Sequence, residues 1–179
     1  FGTAEVRFPE GRTAKSFSYT SWLQKADAII DFAKLKTHGM AGMTCAVKNF
    51  FGTIPGTRKP EMHYMHPNTP DFCSLLVDLA LYNAPRLTLV DAVECMEGNG
   101  PTQGTPRHMG ALLAADTPFN ADLVCAHLIG LEAMNTPTVA EAVSRGLCPG
   151  DWRELELSGD PDEFALPDFG TLPVGAKID

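Results

Sequence analysis

The hydrophobic positions of this chain fall into two rhythms. Met43, Val47, Phe50, Phe51 and Ile54 stand at i, i+4, i+7, i+8 and i+11, which is one face of a helix. Gly52 and Pro55-Gly56 close that segment. Phe72, Leu75, Leu76, Leu79 and Ala80 repeat the helical period behind Thr69-Pro70, and Pro85 stops it. Thr117-Pro118 and Thr136-Pro137 again pair a capping hydroxyl with a proline suited to the first helical turn. They predict one helix running to Ile129 and another through Val139, Ala142 and Val143 to Gly146. The second rhythm is the compact apolar run. It predicts strands over 4–8, 26–36, 86–93 and 109–115, the second of them buried, and an edge strand over 154–157. Residues 18–25 read as a short helix or turn, and 55–68 and 97–107 as loops rich in proline and glycine. Strands alternating with helices predict an α/β fold, a mostly parallel or mixed sheet with flanking helices in a single layered domain. That domain is expected over 1–158, and 159–179, with several Pro and Asp, as a loosely structured tail. No internal repeat is present. The chain opens on Phe1 rather than Met, so it is expected to be a fragment of a longer protein.

Composition narrows the function. The chain of 179 residues is 44% hydrophobic and 20% charged, ordinary values for a globular protein. Its net charge is -8, from 14 Lys+Arg against 22 Asp+Glu. A nucleic-acid binder needs a basic footprint, so nucleic acid is excluded as a partner. No apolar run approaches the roughly 18 residues that span a bilayer, and no membrane role is expected. The cysteines are Cys45, Cys73, Cys95, Cys125 and Cys148, an odd number at wide spacing with no C-x-x-C among them. They read as small buried hydrophobes in a reducing compartment, which points to the cytoplasm.

The densest chemistry lies between Lys34 and Gly52, where a strand end passes into a helix. Ligands of open α/β sheets bind beyond the carboxyl ends of strands. Lys34 and Lys36 share one strand face, and Thr37, His38 and Gly39 follow. Thr44 and Lys48, four apart, are expected on one helix face beside Asn49. The free amides of that helix start favour an anion. Three lysines and a histidine in an acidic protein therefore predict a small anionic ligand, a phosphate or carboxylate. Taken singly, each lysine also fits a solvated strand end or wet helix face.

A second connection carries Glu97 and Asn99 between glycines, after Asp91 and Glu94. It could face the first, with Glu97 as a base or as partner to a lysine, or it could be turn chemistry alone. His63 and His66 form an H-x-x-H pair that could hold a divalent metal, or stand as two surface histidines. His127 reads as a packed helix histidine, and Asp116 and Asp122 as residues complementing a helix dipole.

Several ordered motifs carry a resemblance. Lys-x-Lys-Thr-His-Gly-x-x-Gly-x-Thr at 34–44, Val-Lys-Asn-Phe-Phe-Gly at 47–52, Ile-Pro-Gly at 54–56 and His63 are four of them. Val-Asp-Ala-Val at 90–93, Met-Glu-Gly-Asn-Gly-Pro at 96–101 and Asn-Ala-Asp at 120–122 follow in order. Over roughly 25–158 the chain resembles the domain of unknown function 362 family. Many members carry a four-cysteine ferredoxin segment beside this domain. The resemblance therefore implies a 4Fe-4S cluster on a flanking segment, and a ferredoxin-like domain or electron-transfer partner.

Three functions follow as expectations. The first is an enzyme that holds a small anion with Lys34, Lys36, Thr37, Thr44, Asn49 and Asn99, with His38, Lys48 and Glu97 catalytic. The second is a non-catalytic module that docks an anion or an acidic partner of an electron-transfer assembly. The third is a metal-binding domain built on the histidines and a carboxylate.

Overall fold

A computed structural model describes residues 2–174. The chain opens with an antiparallel hairpin, β1 (Thr3–Arg7) and β2 (Ser16–Thr20). A main sheet follows, made of β3 (Ile30–His38), β4 (Gly42–Thr44), β5 (Leu87–Glu97) and β6 (Thr105–Ala115) in the order β4-β3-β5-β6. Its helices are α1 (Ala46–Asn49), α2 (Lys59–Met65), α3 (Thr69–Asn83), α4 (Pro118–Leu128) and α5 (Pro137–Ser144). The fold is α/β with a mixed sheet. Only β3 and β5 run parallel, because β4 and β6 each return through a tight connection that forces antiparallel pairing.

The local signals were good on helices and weaker on strands. Thr117 caps α4, its hydroxyl accepting from the amide of Asn120 at 3.1 Å. At α3 the cap is Asn68, one residue before Thr69. The stripe Met43, Val47, Phe50, Phe51, Ile54 is buried throughout, yet not as one helix. It is split over β4, the single turn of α1 and a 3-10 turn at Phe50–Thr53. The expected loop 55–68 contains α2. Of the expected short helix or turn at 18–25, residues 18–20 belong to β2, and a turn and the 3-10 helix Leu23–Lys25 follow. No strand forms at 154–157, where a 3-10 turn spans Trp152–Glu154. Residues 26–36 are not buried on both faces: β3 starts at Ile30 and alternates, with Ile30 and Phe32 exposed and Asp31, Ala33 and Leu35 inside.

That alternation sets the layers. The inner face of the sheet packs on α1 and α4 around Leu35, Val90, Leu123 and Cys125. A second core lies between α3, the first hairpin and the 3-10 turn after α1. There Tyr82 receives Tyr19 and Phe17 edge-on at 5.1 and 5.2 Å. Residues 159–174 hold one 3-10 turn and otherwise irregular backbone, but they are docked rather than loose. The Leu166 amide donates to the Leu128 carbonyl at 2.8 Å, and Phe169 is buried in the sheet core.

Buried Asp78 on α3 ties the parts together. Its carboxylate accepts from the amides of Arg12, Thr13 and Ala14 and from the Arg145 guanidinium beyond α5. These bonds offset the cost of burial and hold the carboxyl below its ordinary range. Removing it leaves three amides without their acceptor and Arg145 with Glu141 as its remaining carboxylate. Asp78→Ala is expected to cost about 3–5 kcal/mol of stability, read as a lower urea midpoint with unchanged slope.

Candidate functional site

The two glycine-bearing connections meet at the carboxyl ends of β3 and β5. The Thr37 hydroxyl donates to the Gly98 carbonyl at 2.8 Å, and Thr37 itself is fully buried. A Cβ at Gly100 would lie 2.2 Å from the Thr37 carbonyl oxygen, so only glycine lets the connection pass this close. Thr37 is thus the clamp between the two connections rather than a ligand contact.

The first connection is the β3–β4 hairpin, whose turn ends on Gly42 at φ +77°. His38 organises it. Its Nδ1 accepts from the amides of Met40 and Ala41, both at 3.2 Å. Those amides therefore serve the ring and not an anion. Accepting at Nδ1 places the proton on Nε2, which has no protein partner among the described residues. Burial, with Lys48 and His63 beside it, pushes His38 down to about 3. The ring is therefore neutral near pH 7, with its Nε2–H as a hydrogen-bond donor.

Lys48 is the centre of a cationic cluster. It extends from α1, and Lys59 comes from α2. Their ammonium groups lie 5.6 and 5.7 Å from the centre of the Phe51 ring. Burial pushes Lys48 down to about 8, helped by the charges of Lys59 and Lys36 and opposed by Cys73. His63 on α2 stacks on Phe72 at 4.5 Å and meets Phe51 edge-on at 5.2 Å. It too is pushed down, first by burial and then by Lys48. Among the described residues, Lys36, Lys48 and Lys59 enter no ion pair. Thr44 pairs with Lys36 across β3 and β4, so it borders the cluster from a strand and not from the helix face of Lys48.

Other expected members stand elsewhere. Lys34 is bound to Asp91 at 2.9 Å. Asn49 donates to Asp31 at 2.7 Å, toward the sheet. Glu97 accepts from the Gly170 amide at 3.0 Å and faces Arg107 at 3.9 Å, so it anchors the C-terminal segment. Asn99 donates to Gln103 within its own exposed turn at 3.1 Å. The start of α1 is not open to a ligand either. The buried Asp122 carboxylate accepts from the Ala46 and Val47 amides at 2.8 and 3.3 Å. Asp122 therefore caps α1 across the core instead of complementing the dipole of its own helix. Full burial pushes it up to about 7 despite those bonds.

For a metal, His63 and His66 find no third partner. Among the described residues no three His, Cys, Asp or Glu side chains converge. Burial pushes the thiols of Cys45, Cys73, Cys95 and Cys148 up, which suits inert core thiols rather than thiolate ligands. Lys59 and the Phe51 platform were missed in the sequence. Pro60 in the first turn of α2 is the signal that could have placed Lys59 on a helix.

The tautomer of His38 can be checked directly. Nitrogen-15 NMR is expected to show a protonated Nε2 and a ring that stays neutral as pH falls from 7 to 5. An ordinary titration near 6.5 would contradict the turn described.

The chain is 38% identical over 151 residues to the thylakoid-associated protein sll1697 of Synechocystis sp., covering 80% of this chain and 47% of that protein. The chain thus spans about half the length of this curated relative. No solved structure matches it. Among the described residues no helix is long and apolar enough to cross a membrane. The family described as "Domain of unknown function (DUF362)" matches residues 1–127, and the chain belongs to that family.

Proposed function

We propose that this protein is a small-anion-binding enzyme whose site is the cluster of Lys36, Lys48 and Lys59 with His38 and His63. One observation carries the reading: three half-buried lysines converge without a carboxylate partner, in a protein of net charge -8. Like charges brought together at the edge of a core repel one another. A phosphate or carboxylate ligand relieves that repulsion, and each charge-assisted hydrogen bond to it is worth more than a neutral one. In this reading the Nε2–H of His38 donates to the ligand, and Lys36 and Lys59 supply fixed charge. Lys48, at about 8, is the group able to give or take a proton near neutral pH. Glu97 has no part in it.

A second reading is favoured by α2, where Tyr64 and Met65 stand exposed beside His63. Here the anion is the acidic segment of a protein partner, and the site docks without chemistry. Five free thiols suit a reducing, cytoplasmic compartment. Association with a membrane surface, as the relative's name states for that protein, requires no spanning helix.

Calorimetric titration with inorganic phosphate, succinate and a hexaglutamate peptide tests both. Saturable binding of phosphate or succinate is expected, weakened at least tenfold in Lys48→Met (about 1.4 kcal/mol). Affinity is expected to hold below pH 8 and fall above it, as Lys48 loses its proton. Binding of hexaglutamate alone favours the docking reading, and equal affinity in Lys48→Met overturns the site.

A further inference from the structure

β6 is the outer strand of the main sheet, with β5 on one side and, among the described residues, no strand on the other. Alternate amides and carbonyls of such a strand point away from the sheet. Over 111–115, none of them has a partner beyond the β5 pairing among the described residues. Proteins protect exposed edges with proline, charge or irregular pairing. The first half of β6 carries Pro106, Arg107 and His108, and its register shifts where β5 passes from Ala92 to Glu94. The second half, Ala-Leu-Leu-Ala-Ala, carries none of these devices.

A groove of about 840 Å3 runs along this unprotected half. Residues 111–116 form its strand side, α4 one wall, and 155–161 with Phe164 the other. Leu112, Leu157 and Phe164 line it and are exposed, so it offers apolar contacts along its length. Its charged residues are Asp116, Glu156 and Asp160, and no Lys, Arg or His lines it.

We propose that this groove takes an extended peptide segment of a partner protein as a fifth strand of the sheet. The strand edge supplies the backbone hydrogen bonds, and the apolar lining takes every second side chain. The acidic rim selects Lys or Arg at the ends of the segment. A second copy of this chain fits less well. Pairing two such edges would bring both sets of three carboxylates together, in molecules already at -8 each. The groove lies apart from the lysine cluster and shares no residue with it.

The test uses fluorescein-labelled Lys-Val-Thr-Val-Thr-Val-Arg, its acidic counterpart with Glu at both ends, and a version with proline at the central Val. Fluorescence anisotropy is expected to show saturable binding of the basic peptide. Both other peptides should bind at least tenfold more weakly. Amide hydrogen exchange within 111–115 should slow at least tenfold in the complex. Glu156→Lys, an exposed change in a residue with no described partner, should weaken the basic peptide at least threefold while leaving the circular dichroism spectrum unchanged. Equal affinity for the three peptides would overturn the proposal, as would unchanged exchange over 111–115. Sedimentation showing a dimer whose formation protects those same amides would replace the peptide with a second copy.

Discussion

A carboxylate from α4 holds the short α1 turn in place. Asp122 is buried, and it accepts from the first two amides of α1. A single helical turn has no stability of its own, since nucleation costs more than one turn of hydrogen bonds returns. The cap supplies what the turn lacks, and it does so from a residue 76 positions away in the chain. Everything on α1 inherits that anchor. Val47 enters the core, Lys48 leaves it at a set angle, and Phe51 in the following 3-10 turn becomes the platform for two ammonium groups. Asp122 carries a cost for this, visible in a carboxyl pushed up to about 7 by burial.

The cationic cluster is the counterpart of that cost. Ion pairs elsewhere in the molecule are made in the ordinary way, as Lys34 with Asp91 or Arg145 with Asp78. Lys48 and Lys59 hold their ammonium groups over Phe51, and the charge of Lys36 reaches Lys48 from β3. A protein tolerates such an arrangement when packing elsewhere over-determines it, and sites that bind or react are where it is found. The two cores give that support: one holds β3 and α4, the other holds Phe51, Phe72 and α3. The cluster lies where they meet.

The open side of the sheet is shaped by the same economy. Helices cover the face that carries Ala33, Leu35 and Val90, while Ile30, Phe32 and Leu112 remain exposed on the other. Parallel strands are usually covered on both faces, so an α/β sheet covered on one face with an apolar edge strand is an unusual arrangement. The cationic cluster and the groove at β6 thus belong to different parts of the molecule.

How far the sequence reached depends on how local each signal was. Thr117-Pro118 placed α4, and the apolar stripe from Met43 to Ile54 named the correct buried residues, because capping and burial follow from neighbours in the chain. The Lys-x-Lys-Thr-His run marked the end of β3 as the place where cationic side chains gather, for the same reason. Tertiary structure decided which of those groups are free. Asn49 is engaged by Asp31, Glu97 by Gly170 and Lys34 by Asp91, and Asp122 closes the helix start that an anion would have used. None of these partners lies near in the chain, and spacing carries no record of them. Lys59 joins the site only because α2 folds back over Phe51. The sequence by itself determined where α3, α4 and α5 form and which residue types follow one another at the end of β3. The tertiary structure alone decided which charges are neutralised and which, among the described residues, have no carboxylate partner, because that balance is set by distance in space.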